Sequence, residues 1–227
     1  MTLDQTSILS PAPSPAASSR VGGRLSAVVL LAGEVRRTGL SRAAARSRLD
    51  LPISAVDSLG SCWHSHVGGL RAALGQPRLP MFIAANTAAP IPRTRDFWQD
   101  VSVALDREEP RGSGGALRDI SVGLDPDSYI LVVSAHSYPR TELTTIAGSL
   151  LARGSDVVIH ADPSGTPSGI FLMRCGALEG VGSKGFVDLK EQAMPQIASQ
   201  HEVVVLKTAD APPIPIWTLD GYVRAAR

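Results

Sequence analysis

Seven short apolar runs punctuate the chain, and most are continuous rather than alternating. The first, Ala27-Val28-Val29-Leu30-Leu31, is unbroken and rich in branched side chains, the pattern of a parallel strand buried on both faces. Residues 79–85 (LPMFIAA), 128–134 (SYILVVS), 156–160 (DVVIH), 169–174 (GIFLMR) and 202–206 (EVVVL) read as further strands of this kind. Residues 97–106 alternate (Trp98, Val101, Val103, Leu105) and read as a third strand in chain order. Helical spacing lies between them. Ala55, Leu59, Trp63 and Val67 recur every four residues within 49–74, and Leu143, Ile146, Ala147 and Leu150 share one face of 141–153, closed by Gly154. A helix over 188–197 is capped by Asp188, with Glu191 three residues on as in a capping box, and 218–226 forms the last helix. Strands alternating with helices predict a three-layer α/β domain with one mainly parallel sheet. Residues 1–24, rich in Ser, Pro and Ala, read as a disordered tail or extended arm, which leaves 25–227 as the domain.

Composition narrows the function by exclusion. The formal net charge is +1 over 227 residues, so no nucleic-acid or membrane partner is expected. Lysine occurs only at Lys184, Lys190 and Lys207, which rules out a P-loop built on the first strand. No apolar run approaches the roughly 20 residues of a membrane span, and the start lacks the basic-then-apolar order of a signal peptide. Cys62 and Cys175 fall in no metal-binding or disulfide spacing, so a reduced, cytoplasmic chain is expected. Cys62 has His64 and His66 beside it as the local candidates for a base, although surface clusters of this kind are seldom sites.

Three places carry chemistry. The first strand runs into Ala32-Gly33 and then a stretch holding Arg36, Arg37, Arg42, Arg46 and Arg48, with Glu34 and Asp50 as its acids. A glycine lets the backbone approach a phosphate, and guanidinium forks match its oxygens; a solvated basic helix gives the same pattern. Gly112-Ser113-Gly114-Gly115 opens a short helix whose N–H groups suit an anion or the polar edge of a base, unless the glycines are simply a flexible connection. The strand at 128–134 ends in Ala135-His136-Ser137, where open α/β sheets place ligands. His136 is the best-placed titratable residue, and a structural role is its alternative.

The order of these parts resembles the sugar-1-phosphate nucleotidyltransferases, or nucleotide-sugar pyrophosphorylases, and their molybdenum-cofactor relatives. Val28–Gly33 (VVLLAG) looks like the family's opening strand and Leu-Ala-Gly loop, and residues 112–117 (GSGGAL) are similar to its Gly-Thr-Ala-Gly-Ala-Leu element that meets the base. Residues 130–136 (ILVVSAH) resemble the strand that normally ends in a metal-binding aspartate. Residues 169–178 and 185–195 (GFVDLKEQAMP) look like the sugar-side segment, and 218–222 is similar to the closing Thr-Pro-Glu-Asp-Tyr helix. The likeness spans about 25–227. It implies a Rossmann-like, glycosyltransferase-A-type nucleotidyltransferase domain that binds a nucleoside triphosphate or nucleotide sugar and transfers a nucleotidyl group to a sugar 1-phosphate. On this resemblance Gly33, Arg36 and Arg37 face phosphates, Gly112, Ser113, Gly114 and Gly115 cradle the base, and Gly169 and Asp188 line the sugar side.

The chain departs from that family where catalysis is carried out. Glu34 stands where the first loop has its second glycine, and Pro52 is followed by Ile53 in place of lysine. His136 occupies the position of the first metal aspartate and Pro215 that of the second. Magnesium prefers carboxylate oxygens, so Mg²⁺ loses its usual ligands here unless Asp162 or Asp188 replaces them. Two readings follow: a divergent transferase whose arginines hold the phosphates, or a catalytically inactive nucleotide-sugar-binding or regulatory homologue acting through a protein partner or as a homo-oligomer. A third is an interaction protein that docks through residues 1–24.

Overall fold

The computed structural model describes residues 25–34, 38–87, 90–93, 100–106 and 109–227. Its strands are β1 (Leu25–Leu31), β2 (Met81–Asn86), β3 (Val101–Asp106), β4 (Tyr129–Ser134), β5 (Ser137–Tyr138), β6 (Val157–Ala161), β7 (Pro167–Arg174), β8 (Val203–Lys207) and β9 (Ile214–Pro215). The helices are α1 (Gly39–Ala44), α2 (Leu59–Leu74), α3 (Gly112–Ser121), α4 (Leu143–Leu151), α5 (Met194–Ala198) and α6 (Leu219–Ala225). Seven strands form one sheet in the order β3-β2-β1-β4-β7-β6-β8, and β5 pairs with β9 separately.

The continuous apolar runs are continuous because both faces of the sheet are covered. Val28 and Leu30 of β1 and Leu131 and Val133 of β4 pack on one side with Leu59, Trp63 and Val67 of α2 and Leu143, Ile146 and Leu150 of α4. Ala27, Val29, Ile130 and Val132 point to the other side, against Leu117 of α3, Leu178, Leu189 and Ile197. This is the expected three-layer α/β architecture. The sheet is mainly parallel, as β1 pairs parallel with β2 and β4, β2 with β3, and β6 with β8. One strand is reversed: β7 runs antiparallel to both β4 and β6. The cause is local. Asp162 N–H donates to the Thr166 carbonyl, and Gly165 turns the chain at φ 92°, closing a hairpin that forces the two strands to oppose.

Several boundaries differ from expectation for identifiable reasons. The helix expected over 49–74 begins only at Leu59, because Ser58 caps it and Ser61 returns the bond to the Ser58 N–H. Ala55 therefore lies outside the helix and exposed, while Leu59, Trp63 and Val67 form the buried face. The third strand begins at Val101, and the expected segment 97–99, with Trp98, lies outside the described residues. The glycines 112–115 are the first turn of α3 and not a loop ahead of it. The helix capped by Asp188 opens with a wide π-turn, Leu189–Ala193, before α5. Its extra residue per turn brings Gln192, not Glu191, back to the Asp188 N–H at 2.6 Å.

Trp63 links the scaffold to the carboxyl ends of the strands. It is fully buried, and its indole N–H donates to the Ser137 carbonyl at 3.0 Å. Trp63→Phe keeps the ring but orphans that carbonyl. It should cost about 1–3 kcal/mol, read as a lower urea midpoint at unchanged slope; an unchanged midpoint would show the bond to be dispensable.

Candidate functional site

The carboxyl end of β1 meets three other segments of chain. Beyond Leu31, the Ala32 N–H donates to Ala84 of β2 at 2.8 Å, and the Ala135 N–H donates back to Leu31 at 3.1 Å. Gly33 lies close to Asn86, and a Cβ on it would stand 3.3 Å from Asn86 Nδ2. The Asn86 amide brackets the next residue, accepting from the Glu34 N–H at 3.3 Å and donating to the Glu34 carbonyl at 3.0 Å. With its backbone clamped, Glu34 directs its side chain inward.

The carboxylate lies 3.3 Å from Arg48 Nε, and the two side chains are only 3% and 1% exposed. Arg48 also donates from Nη2 to Thr38 Oγ1 at 3.0 Å, and its guanidinium sits 4.5 Å from the centroid of the Trp217 ring. Trp217 in turn leans on His136, ring centroids 4.7 Å apart. His136 Nε2 is 3.1 Å from the Gly33 carbonyl. A carbonyl only accepts, so Nε2 carries the proton and Nδ1 is a bare lone pair. The short β5–β9 pairing makes this possible, because the Ile216 N–H donates to the His136 carbonyl at 2.8 Å and delivers Trp217 onto the cluster.

The cluster is incompletely satisfied. Glu34 Oε2, Arg48 Nη1 and His136 Nδ1 are buried without a hydrogen-bond partner, and Arg48 Nε faces the carboxylate as an ion pair without hydrogen-bond geometry. Burial pulls the Arg48 guanidinium below its ordinary value, with the Glu34 charge opposing; desolvation outweighs the attraction, as is common for buried ion pairs. Burial first, and the Arg48 charge second, push His136 down to about 4, against the Gly33 hydrogen bond. His136 is thus a neutral imidazole with a structural bond, in the place where the sequence suggested a metal ligand.

Beside this cluster a cleft of about 560 Å³ opens across the strand ends, walled by Gly33, Ser134, His136, Ser168, Asp188 and Trp217 among others. A side pocket of about 140 Å³ shares Gly33, Ser113 and Asp188 with it and reaches Asn86, Asp106 and Gly112. A larger, more open groove of about 970 Å³ lies between β3 and α3, away from the ends of the central strands. The cleft is the better site because it gathers the sheet's carboxyl ends, where α/β folds place ligands.

The structure thus distributes the sequence candidates unevenly. Gly33 and His136 line the cleft, as do Gly169 and Asp188, while Gly112 and Ser113 line the side pocket. The N–H groups of Gly114 and Gly115 are already spent on the Val187 carbonyl, at 2.9 and 3.4 Å. These glycines therefore serve close approach: a Cβ on Gly114 would lie 3.1 Å from that oxygen, and one on Gly112, at φ 68°, only 2.5 Å. Ser113 Oγ accepts from Leu189 N–H at 2.9 Å. Asp188 Oδ1 accepts from the Lys190 and Glu191 N–H groups at 2.8 and 2.9 Å. Arg36 and Arg37 lie outside the described residues.

Cys62 has no activating partner among its neighbouring histidines: His64 pairs with Asp100, and His66 accepts from the Leu143 N–H. Burial pushes the Cys62 thiol up, away from thiolate. Sequence reasoning missed Asn86, Arg48 as the partner of Glu34, and Arg111, whose guanidinium ties α3 to the carbonyls of Gly182 and Gly185 at 3.1 and 2.6 Å.

At the two positions where the resemblance puts metal aspartates, a carboxylate-held Mg²⁺ does not fit the residues present. At the end of β4 the imidazole donates to backbone, Pro215 lies opposite in β9, and Trp217 covers the space between. Among the described residues no group of three or more His, Cys, Asp or Glu is placed to hold a metal ion.

No protein-family model matches the sequence, and no curated protein does either. Solved structures match the fold. HddC from Yersinia pseudotuberculosis aligns with TM-score 0.65 and 15% identity over 88% of this chain and 97% of its own. A putative glucose-1-phosphate thymidylyltransferase from Bacillus anthracis aligns with TM-score 0.68 and 8% identity over 89% and 94%. A nucleoside-diphosphate-sugar pyrophosphorylase from Vibrio cholerae aligns with TM-score 0.58 and 12% identity over 88% and 99%. At these identities the likeness establishes a shared fold.

Two measurements test the cluster. Glu34→Gln leaves a buried guanidinium unpaired and should cost about 3–5 kcal/mol, whereas Glu34→Gln with Arg48→Met should recover most of the loss; equal melting points for the two variants would refute the pairing. His136 has its folded value, about 4, below the ordinary 6.5, so the unfolded chain takes up the proton first. Stability present above pH 6.5 is lost on acidification towards pH 4, by about 3 kcal/mol from this group. His136→Gln should flatten that part of the denaturation profile.

Proposed function

We propose that this chain binds a nucleotide sugar across the cleft and does so without a carboxylate-held metal. The observation that carries this reading is the interlocked set of Glu34, Arg48, His136 and Trp217, which fills the end of β4 with a charge-balanced pair, a neutral imidazole and an aromatic ring. Nucleotidyl transfer builds charge on the transferred and leaving phosphates, and a metal or an array of cations must neutralise it. A binder needs only shape and hydrogen bonds.

The fold neighbours support the ligand class. HddC has been solved with GMP-PN, and the Bacillus anthracis protein in complex with a sucrose. In this chain the side pocket offers a base the Asn86 amide and the Asp106 carboxylate beside Gly112 and Ser113. The main cleft offers the carboxylates of Asp162 and, at its junction with the side pocket, Asp188, which accept from sugar hydroxyls beside Gly169. Arg36 and Arg37, next to Gly33 in sequence, with Lys190 on the cleft wall, are the cations for the phosphates. A binder of this kind acts through a protein partner or within a homo-oligomer. Among the described residues no helix is long and apolar enough to cross a membrane.

A transferase that has re-routed its phosphate contacts is the competing reading, and one experiment separates the two. Melting points are recorded with nucleoside triphosphates and nucleotide sugars, each with and without Mg²⁺. A nucleotide sugar at about 100 times its dissociation constant adds about 2.7 kcal/mol to the folded state, and we expect that gain without Mg²⁺. Arg36→Ala with Arg37→Ala should remove it, and Asp188→Asn, which still caps its helix, should weaken it. A gain that appears only with Mg²⁺ and is followed by pyrophosphate release would establish the transferase instead.

A further inference from the structure

A second cluster opens on the same cleft and plays no part in nucleotide binding as described above. His160, at the end of β6, is buried at 1% exposure. Its Nδ1 lies 2.8 Å from Ser168 Oγ on β7. Its Nε2 faces Asp210 Oδ2 at 3.3 Å and Thr208 Oγ1 at 2.9 Å. The β6–β7 register shifts between Ile159 and Ala161, next to this pair, and irregularities of this kind re-aim side chains. Ser168 is part of the cleft wall, beside Gly169.

The proton positions follow from the partners. The Asp210 carboxylate only accepts, so the Nε2 that faces it carries the proton, and Thr208 Oγ1 accepts from the same N–H. Nδ1 is then the lone pair, and the Ser168 hydroxyl must donate to it. A hydroxyl at a cleft wall, hydrogen-bonded to a base that a carboxylate orients, is the arrangement of an activated nucleophile, recognised by geometry and not by chain order.

We propose that Ser168, His160 and Asp210 form a reactive serine centre for small acyl esters. The described wall of the cleft favours an uncharged acyl group over a phosphoryl group. It presents Phe171, Leu189, Pro212, Pro213 and Trp217, and Lys190 is its one described Lys or Arg. In the first step a bond forms between Ser168 Oγ and the acyl carbon while the hydroxyl proton passes to His160 Nδ1. The bond from that carbon to the leaving oxygen then breaks, and the oxygen departs as an alcohol with the same proton. Water repeats the sequence on the acyl-serine, releasing the carboxylic acid and restoring the hydroxyl; Asp210 holds the imidazolium throughout. Under the nucleotide-sugar reading the natural substrate class is an ester on a sugar hydroxyl. That assignment alone rests on the reading, and the serine chemistry does not.

The test therefore uses probes that need no sugar. The full chain is incubated with a fluorophosphonate and mapped by peptide mass, and p-nitrophenyl acetate cleavage is followed in parallel. We expect one adduct on Ser168, ester cleavage above buffer, and loss of both in Ser168→Ala. His160→Gln should slow labelling at least about 100-fold, the scale of a lost general base, and Asp210→Asn should slow it at least about 10-fold at an unchanged melting point. If His160→Gln does not fold, Ser168→Ala and Asp210→Asn decide. A folded wild-type chain that stays unlabelled at Ser168, or a Ser168→Ala variant that cleaves the ester at the wild-type rate, overturns the proposal. Failure here with nucleotide-sugar binding intact would leave the binder standing, and the reverse result would leave the serine centre standing alone.

Discussion

The buried pair of Glu34 and Arg48 is the interaction on which the shape of the cleft depends. It joins the end of β1 to the turn before α2, and through Trp217 it reaches the final crossing of the chain. Neither partner is stable there alone, since a single buried charge costs several kcal/mol more than the pair. The segments that supply Glu34, Arg48, Thr38 and Trp217 must therefore assemble together. The Asn86 amide fixes the Glu34 peptide from β2, so Glu34 is held by the neighbouring strand through its backbone and by Arg48 through its side chain. That arrangement leaves four buried polar atoms without a hydrogen bond in one place, a concentration that native interiors rarely tolerate away from functional sites.

The same pair changes what the cleft can recognise. A guanidinium next to a glycine-bearing turn would ordinarily invite phosphate, but Arg48 is already matched by a carboxylate and covered by an aromatic ring. Among the described residues Lys190 is the Lys or Arg on the cleft wall left for a polyanion, and Arg36 and Arg37 are candidates from the sequence alone. Against them stand Asp162 and Asp188, which line the same space. Under the proposed function such a balance suits a ligand whose charge is concentrated at one end and whose other end is rich in hydroxyls. The charge inventory and the poor fit of magnesium at the end of β4 point the same way.

Much of the fold was legible because parallel strands covered on both faces leave continuous apolar runs, as in 27–31 and 128–134. The reversal of β7 was not stated by its own residues; it follows from the Gly165 turn that precedes it. The site was less legible. Gly33 and His136 were candidates because a glycine at a turn and a polar residue at a strand end are local signals, whereas Gly169 and Asp188 were named only through the family resemblance; all four line the cleft. Arg48 was visible as one basic residue among several, but nothing local announces that it is buried against a glutamate 14 positions earlier. Trp217 sits among prolines that predict only an extended crossing, and its meeting with His136 depends on a pairing of two residues between β5 and β9. The GSGG run divides in two, with Gly112 and Ser113 on the side pocket and the N–H groups of Gly114 and Gly115 turned elsewhere. Its glycines answer to the Val187 carbonyl, a contact across the sequence that no spacing rule encodes.

Ser168, His160 and Asp210 take this argument one step further. Each comes from a different segment: the end of β6, the start of β7, and the stretch after β8. No motif links them, since a serine, a histidine and an aspartate at such separations occur by chance in most chains. What joins them is the hairpin that reverses β7, which sets the first turn of that strand beside the last turn of β6. A parallel β7 would have carried Ser168 to the opposite edge of the sheet. The one strand that breaks the parallel order thus brings a cleft-wall hydroxyl to the imidazole and the carboxylate that the parallel strands β6 and β8 carry to the same end of the sheet, and topology, not sequence proximity, joins the three.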